Sequence, residues 1–173
     1  HNGTDLILNA LSSLVRQAPD ISLTIHGSGD YLGQTQRLAG ELGLDEYVYF
    51  SVKFVPVEEL PAIIAPFDLG IVPIRSDVFT DGILPTKLME YAALGIPAVA
   101  SRTSAISTYF DDTMVEFFEP GDAEGLARSI ERIYRDRSKC RELSQNIRKF
   151  NRKYNWSTQK SDYIQLVKRL TGE

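Results

Sequence analysis

The chain has 173 residues, 43% of them apolar and 24% charged, a balance that suits one folded domain with a continuous core and excludes a disordered chain. Its formal net charge of -4 at pH 7 leaves no basic footprint for nucleic acid, and no apolar run reaches bilayer-spanning length. Cys140 is the sole cysteine, which excludes an internal disulfide framework and fits a reducing, cytoplasmic setting. The opening HNGTD carries neither an initiator methionine nor a signal peptide and reads as part of a longer polypeptide.

From Leu6 to Arg16 apolar residues recur at helical spacing, with Thr4 or Asp5 available as cap. After Pro19, ISLTIH (21–26) is a β-branched strand that runs into Gly27-Ser28-Gly29-Asp30. QTQRLAGELGL reads as a helix stopped by Gly43, YVYF (47–50) as a strand, EELPAIIAPF as a short helix and LGIVPI (69–74) as an apolar strand. A turn at Asp81-Gly82 precedes a helix from Pro85 to Leu94 and the strand IPAVAS (96–101). A helix around Ser104 to Phe110, the strand VEFF (115–118) and a capped amphipathic helix from Asp122 to about Arg137 follow. The end, Arg141 to Leu170, is helical in two parts, with Ser157 able to cap the second. Strands that are apolar without alternation, and that alternate with helices, call for a parallel sheet covered on both faces. The expectation is a doubly wound, Rossmann-like α/β fold forming one domain over residues 1–173.

In such a sheet, ligands bind at the loops beyond the carboxyl ends of the strands. The His26-Gly27-Ser28-Gly29-Asp30 loop offers two glycines, but Gly33 falls one place late for a G-x-G-x-x-G fingerprint. A tight turn and a binding loop both remain open there. Ser51-Val52-Lys53-Phe54 offers a small residue, a cation and an aromatic, and taken alone is a surface loop. The third loop opens LPTKLMEYAALGIPAVAS. Pro85 suits a first helical position, and free N–H groups of Thr86, Lys87 and Leu88 would form an anion site to which Lys87 adds charge. Glu90 lies one turn above Thr86 on the same face and, as an acceptor-only carboxylate, suits a ribose diol. A solvated helix face or a carboxylate satisfied within the core reads these residues equally well. Two histidines and one cysteine give no metal-ligand spacing.

Taken together, NGTDLILNAL, DISLTIHGSGD, LGLDEYVYFSVKFVPVEELPAIIAPFDLGIVPI, LPTKLMEYAALGIPAVAS and YNWS resemble, in order and spacing, segments of the GT-B glycosyltransferases of the group 1 (family 4) type. The likeness is to their C-terminal, donor-binding half. It implies a retaining transferase using a nucleoside-diphosphate sugar, with no metal and no further cofactor. It places Glu90 at the donor ribose, Thr86, Lys87 and Leu88 at the diphosphate, and Ile83, Leu84 and Pro85 near the donor sugar. Gly27 and Gly29 would line the cleft, and Val52, Lys53 and Phe54 would hold the base. The acceptor site, and any membrane association, would belong to an N-terminal domain, so no catalytic set is complete here. Three positions depart from the pattern: Asp81 and Gly82 stand where an earlier acid is usual, Asn2 where a phosphate-binding lysine is, and Ser51 where a glycine is. The alternative is a noncatalytic nucleotide-binding or regulatory module on the same fold.

Overall fold

The computed structural model describes residues 3–75 and 77–172. Its elements run α1 (Thr4–Leu14), β1 (Leu23–His26), α2 (Leu32–Glu41), β2 (Val48–Ser51), α3 (Leu60–Ile64), β3 (Gly70–Val72), α4 (Thr86–Leu94), β4 (Ala98–Ser101), α5 (Ser104–Tyr109), β5 (Glu116–Phe118), α6 (Ala123–Arg135), α7 (Arg137–Lys153) and α8 (Trp156–Thr171). Every strand pairing is parallel. Each strand is therefore reached through a helical crossover, which is why strand and helix patterns alternate in the sequence.

Successive residues of one strand feed opposite layers. On β4, Ala98 and Ala100 join Leu88, Ala92, Ile106, Phe117, Ile147 and Phe150 beneath α4, α5 and α7. Val99 between them joins Leu6, Ala10, Phe118, Leu126 and Ile130 beneath α1 and α6. All four β4 residues are buried, so a run without alternation is what a strand covered on both faces requires. Phe110 and Phe150 stack with ring centroids 4.2 Å apart, fixing α7 to α5. Glu116 is a buried charge at the start of β5. Arg132 of α6 at 2.6 Å and Lys139 of α7 at 2.5 Å compensate it, so both helices are tied to that strand.

Four expectations change. The strands form two hydrogen-bonded sheets, β1-β2 and β3-β4-β5, instead of one continuous ladder, and a cavity lined by residues of both β1 and β3 lies between them. Neither Thr4 nor Asp5 caps α1; Gly3, at φ 66°, precedes it, and Asp5 pairs instead with Arg75. Asn155, not Ser157, caps α8, in a reciprocal capping box with Thr158. The helical end starts earlier than Arg141, because Asp136 terminates α6 and its carboxylate accepts from the Ser138 and Lys139 amides that open α7.

Candidate functional site

The carboxyl end of β1 and the amino end of α4 open onto one cavity of about 760 Å³, within the range that takes a small ligand. Its lining includes the loop His26–Asp30 together with Thr86, Lys87, Glu90 and Tyr91. Gly27 and Gly29 sit at φ 139° and 156°, where side chains are strained. A Cβ on either would meet nothing within 4 Å. Glycine is needed there for the backbone path, and the loop is left open toward the cavity. Its base is anchored to β2: the Gly27 amide donates to the Ser51 carbonyl at 2.9 Å, and His26 Nδ1 lies 3.0 Å from Ser51 Oγ. Ser51 thus contributes a hydroxyl that the usual glycine could not.

Pro85 is extended (φ −71°, ψ 131°) and stands just before α4, one place ahead of its expected position inside the helix. It brings no side-chain cap. Among the described residues the Thr86 and Lys87 amides have no acceptor, whereas the Leu88 amide donates to the Pro85 carbonyl at 3.1 Å. Two N–H groups are free, not three, because the first turn closes on Pro85. The Leu88 side chain is fully buried in the core.

Glu90 is half-buried. Among the described residues its carboxylate has no hydrogen bond or ion pair, so it is not a core carboxylate satisfied by protein donors. Burial first, and the adjacent Glu90 charge second, raise the Tyr91 phenol above its ordinary value. Lys87 is exposed and has no carboxylate partner among the described residues. The cavity mouth therefore holds two free amides and a free ammonium at a helix start, where negative charge is favoured. One turn on stands an acceptor with spare lone pairs. That combination is chemically suited to an anion joined to a hydroxyl-bearing group.

The structure brings Gly27, Gly29, Thr86, Lys87 and Glu90 to this cavity. Leu88, Ile83, Leu84, Pro85, Val52, Lys53 and Phe54 are not part of its lining. Leu84 packs against the core, Ile83 is partly exposed, and Phe54 is 94% exposed on the loop after β2. Asp81 accepts from the Ser104 amide at 3.1 Å and so ties the 80–82 turn to α5. Asn2 lies outside the described residues. His26, Ser28, Asp30 and Tyr91 line the cavity without having been singled out as site residues. For the first three, their place at the end of a parallel strand was the available signal.

The family model for "Glycosyl transferases group 1" matches residues 1–150. A GDP-mannose-dependent alpha-(1-6)-phosphatidylinositol monomannoside mannosyltransferase of Mycolicibacterium smegmatis is 35% identical over 134 residues, covering 74% of this chain and 34% of that protein. The chain thus spans about a third of that relative's length. Two solved structures share the fold. The C-terminal domain of a glycosyl transferase group 1 family protein from Francisella tularensis superposes with TM-score 0.73 at 18% identity, over 87% of this chain and 77% of that one. Anabaena Alr3699/HepE, solved in complex with UDP-glucose, superposes with TM-score 0.82 at 18% identity, over 99% of this chain and 46% of that one.

Proposed function

The chain belongs to the glycosyl transferases group 1 family, and on that premise we propose that it is the donor-binding C-terminal part of a retaining glycosyltransferase that uses a nucleoside-diphosphate sugar. The observation that carries this reading is Glu90: a half-buried carboxylate with no protein partner among the described residues, lining a cavity one turn from the free amides of α4. The diphosphate would lie against the Thr86 and Lys87 amides, and Glu90 would accept from the ribose hydroxyls. As the glycosidic bond breaks, negative charge grows on the departing diphosphate. In this reading the start of α4 lies where that charge would develop and Lys87 can reach it, so they would stabilise it more in the transition state than in the ground state. On the same reading Lys87 and the amides at the start of α4 hold the diphosphate, and neither metal nor further cofactor is required.

The acceptor site, and any membrane contact, would come from other parts of the whole protein, with the enzyme acting in the cytoplasm. Among the described residues no helix is long and apolar enough to cross a membrane.

Because one relative is named for GDP-mannose and one structural neighbour holds UDP-glucose, the test is calorimetric titration with GDP, UDP and their sugars, with and without EDTA. Binding of one nucleoside diphosphate that is unaffected by chelator supports the reading. Binding that disappears on chelation sinks the metal-free part, and no binding to any of them sinks the site. Sugar transfer by the whole protein separates a transferase from a noncatalytic nucleotide-binding module.

A further inference from the structure

β1 and β2 have one apolar face and one polar face. Leu23 and Ile25 of β1 pack with Val48 and Phe50 of β2 beneath α1 and α2. Side chains alternate along a strand, so Thr24, His26, Tyr49 and Ser51 point to the opposite face, the side on which α4 covers β4. A parallel sheet covered on both faces is ordinarily apolar on both, and this face is not. At its carboxyl end His26 stands in register with Ser51, with Nδ1 3.0 Å from Ser51 Oγ. The second ring nitrogen, Nε2, has no hydrogen-bond partner among the described residues. The ring lines the same cavity as Thr86, Lys87 and Glu90. The charges at that end do not balance for an anion. Of the charged residues lining the cavity, Asp20 and Asp68 precede β1 and β3, and Arg137 acts on Asp20, so these three belong to its other end. At the carboxyl end remain Lys87, Asp30 and Glu90, one ammonium against two carboxylates. A ligand with two or more negative charges therefore needs donors beyond Lys87 and the two free amides.

We propose that His26 is a further ligand-binding residue of this site, donating from Nε2 to a phosphate oxygen, with Ser51 as the positioning residue that sets its tautomer. The proposal rests on the reading of the cavity as a nucleoside-diphosphate site. In a neutral imidazole one nitrogen carries the proton and the other accepts. The Ser51 hydroxyl donates to Nδ1, which leaves the proton on Nε2, the nitrogen without a protein partner. The same bond holds the orientation of the ring. Gly27 and Gly29 follow directly, so no side chain from those two positions stands between the ring and a ligand. A bond that merely ties β1 to β2 needs Nδ1 alone, a role that asparagine can fill. A ligand contact needs Nε2, whose place the longer amide of glutamine reaches.

The experiment titrates the chain and its variants with GDP, UDP, guanosine and uridine by calorimetry, and compares variants on whichever diphosphate the unaltered chain binds. His26→Asn is expected to weaken that diphosphate roughly tenfold, the size of one hydrogen bond to a charged group, and to leave the matching nucleoside unchanged. His26→Gln should bind the diphosphate within about threefold of the unaltered chain. Ser51→Ala should weaken it less than His26→Asn and add nothing to that variant, because Ser51 acts through the ring. Any other ranking overturns the proposal. Normal binding by His26→Asn with loss in His26→Gln would make the bond to Ser51 structural. If neither variant matters while Glu90→Gln still weakens binding, His26 falls and the donor site stands. No binding of either diphosphate by the unaltered chain overturns both. Should the variants lose their fold, His1→Ala leaves His26 the chain's one histidine, and its ring-nitrogen NMR signals decide. Nε2 must shift on adding the diphosphate, and an unmoved Nε2 overturns the proposal.

Discussion

A carboxylate partly withdrawn from water keeps its charge at a cost unless donors replace the lost hydration. Glu90 is half-buried and finds none among the described residues, so its environment is better suited to a ligand than to the free protein. Each hydrogen bond to such a charged acceptor is worth about 1.5–3 kcal/mol at best. Glu90→Gln keeps the shape and removes the charge and half the acceptors. The expected result is roughly tenfold weaker nucleotide binding, about 1.4 kcal/mol, with the melting temperature hardly changed. Titration calorimetry and a melting curve check both halves, and unchanged affinity with a large drop in melting temperature would place Glu90 in the fold instead of the site. Lys87 acts differently, as a mobile charge without a fixed partner. Lys87→Met should weaken a nucleoside diphosphate more than the nucleoside itself, and should flatten the dependence of affinity on salt. Equal losses for both ligands would remove Lys87 from the diphosphate.

These two residues are useful only if α4 is held at one height, and its carboxyl end shows how. Gly95 ends the helix at φ 71°. The Ser144 hydroxyl then donates to the Gly95 carbonyl at 2.6 Å, and Arg148 donates to the Leu94 carbonyl at 3.2 Å, both from α7. Helix ends leave carbonyls without partners, so α7 satisfies α4 while Ile147 and Phe150 bury its own apolar face. Gly95→Ala must strain the left-handed backbone and push its Cβ to within 2.0 Å of Arg148 Nε. A loss of about 1–3 kcal/mol is expected from the backbone alone, measured by denaturant unfolding. Adding Arg148→Ala relieves the collision and should recover only part of it. Full recovery would mean that crowding, not backbone conformation, selects glycine.

Across the whole molecule, burial is uneven. The β3-β4-β5 sheet lies between two apolar layers, whereas none of the described residues of α8 is buried. Trp156 is 62% exposed, and its ring lies beside that of Tyr163 on its own helix, with centroids 5.8 Å apart. An apolar stripe of Tyr163, Leu166, Val167 and Leu170 is left facing solvent. Ending the chain after Tyr154 should leave the thermal midpoint almost unchanged, and α8 amides should exchange far faster than those of β4. In the intact chain the single tryptophan should be readily quenched by acrylamide. Protection of α8 equal to that of the central strands would contradict this account.

The order of elements was legible in the sequence because each depends on residues close in the chain: β-branched runs without alternation, breakers such as Pro19 and Gly43, and apolar spacing in the helices. The placing of Gly27, Gly29, Thr86, Lys87 and Glu90 around one loop-and-helix-start cleft followed from the same local logic, since parallel strands deliver their following loops to one end. Features that depend on what lies opposite in space were not legible. Whether Glu90 had a protein partner, whether the Leu88 amide was already taken by Pro85, and which residue preceded α1 were settled by packing. The same holds for the division into two sheets, because hydrophobic pattern specifies that a strand is buried but not which strand lies beside it.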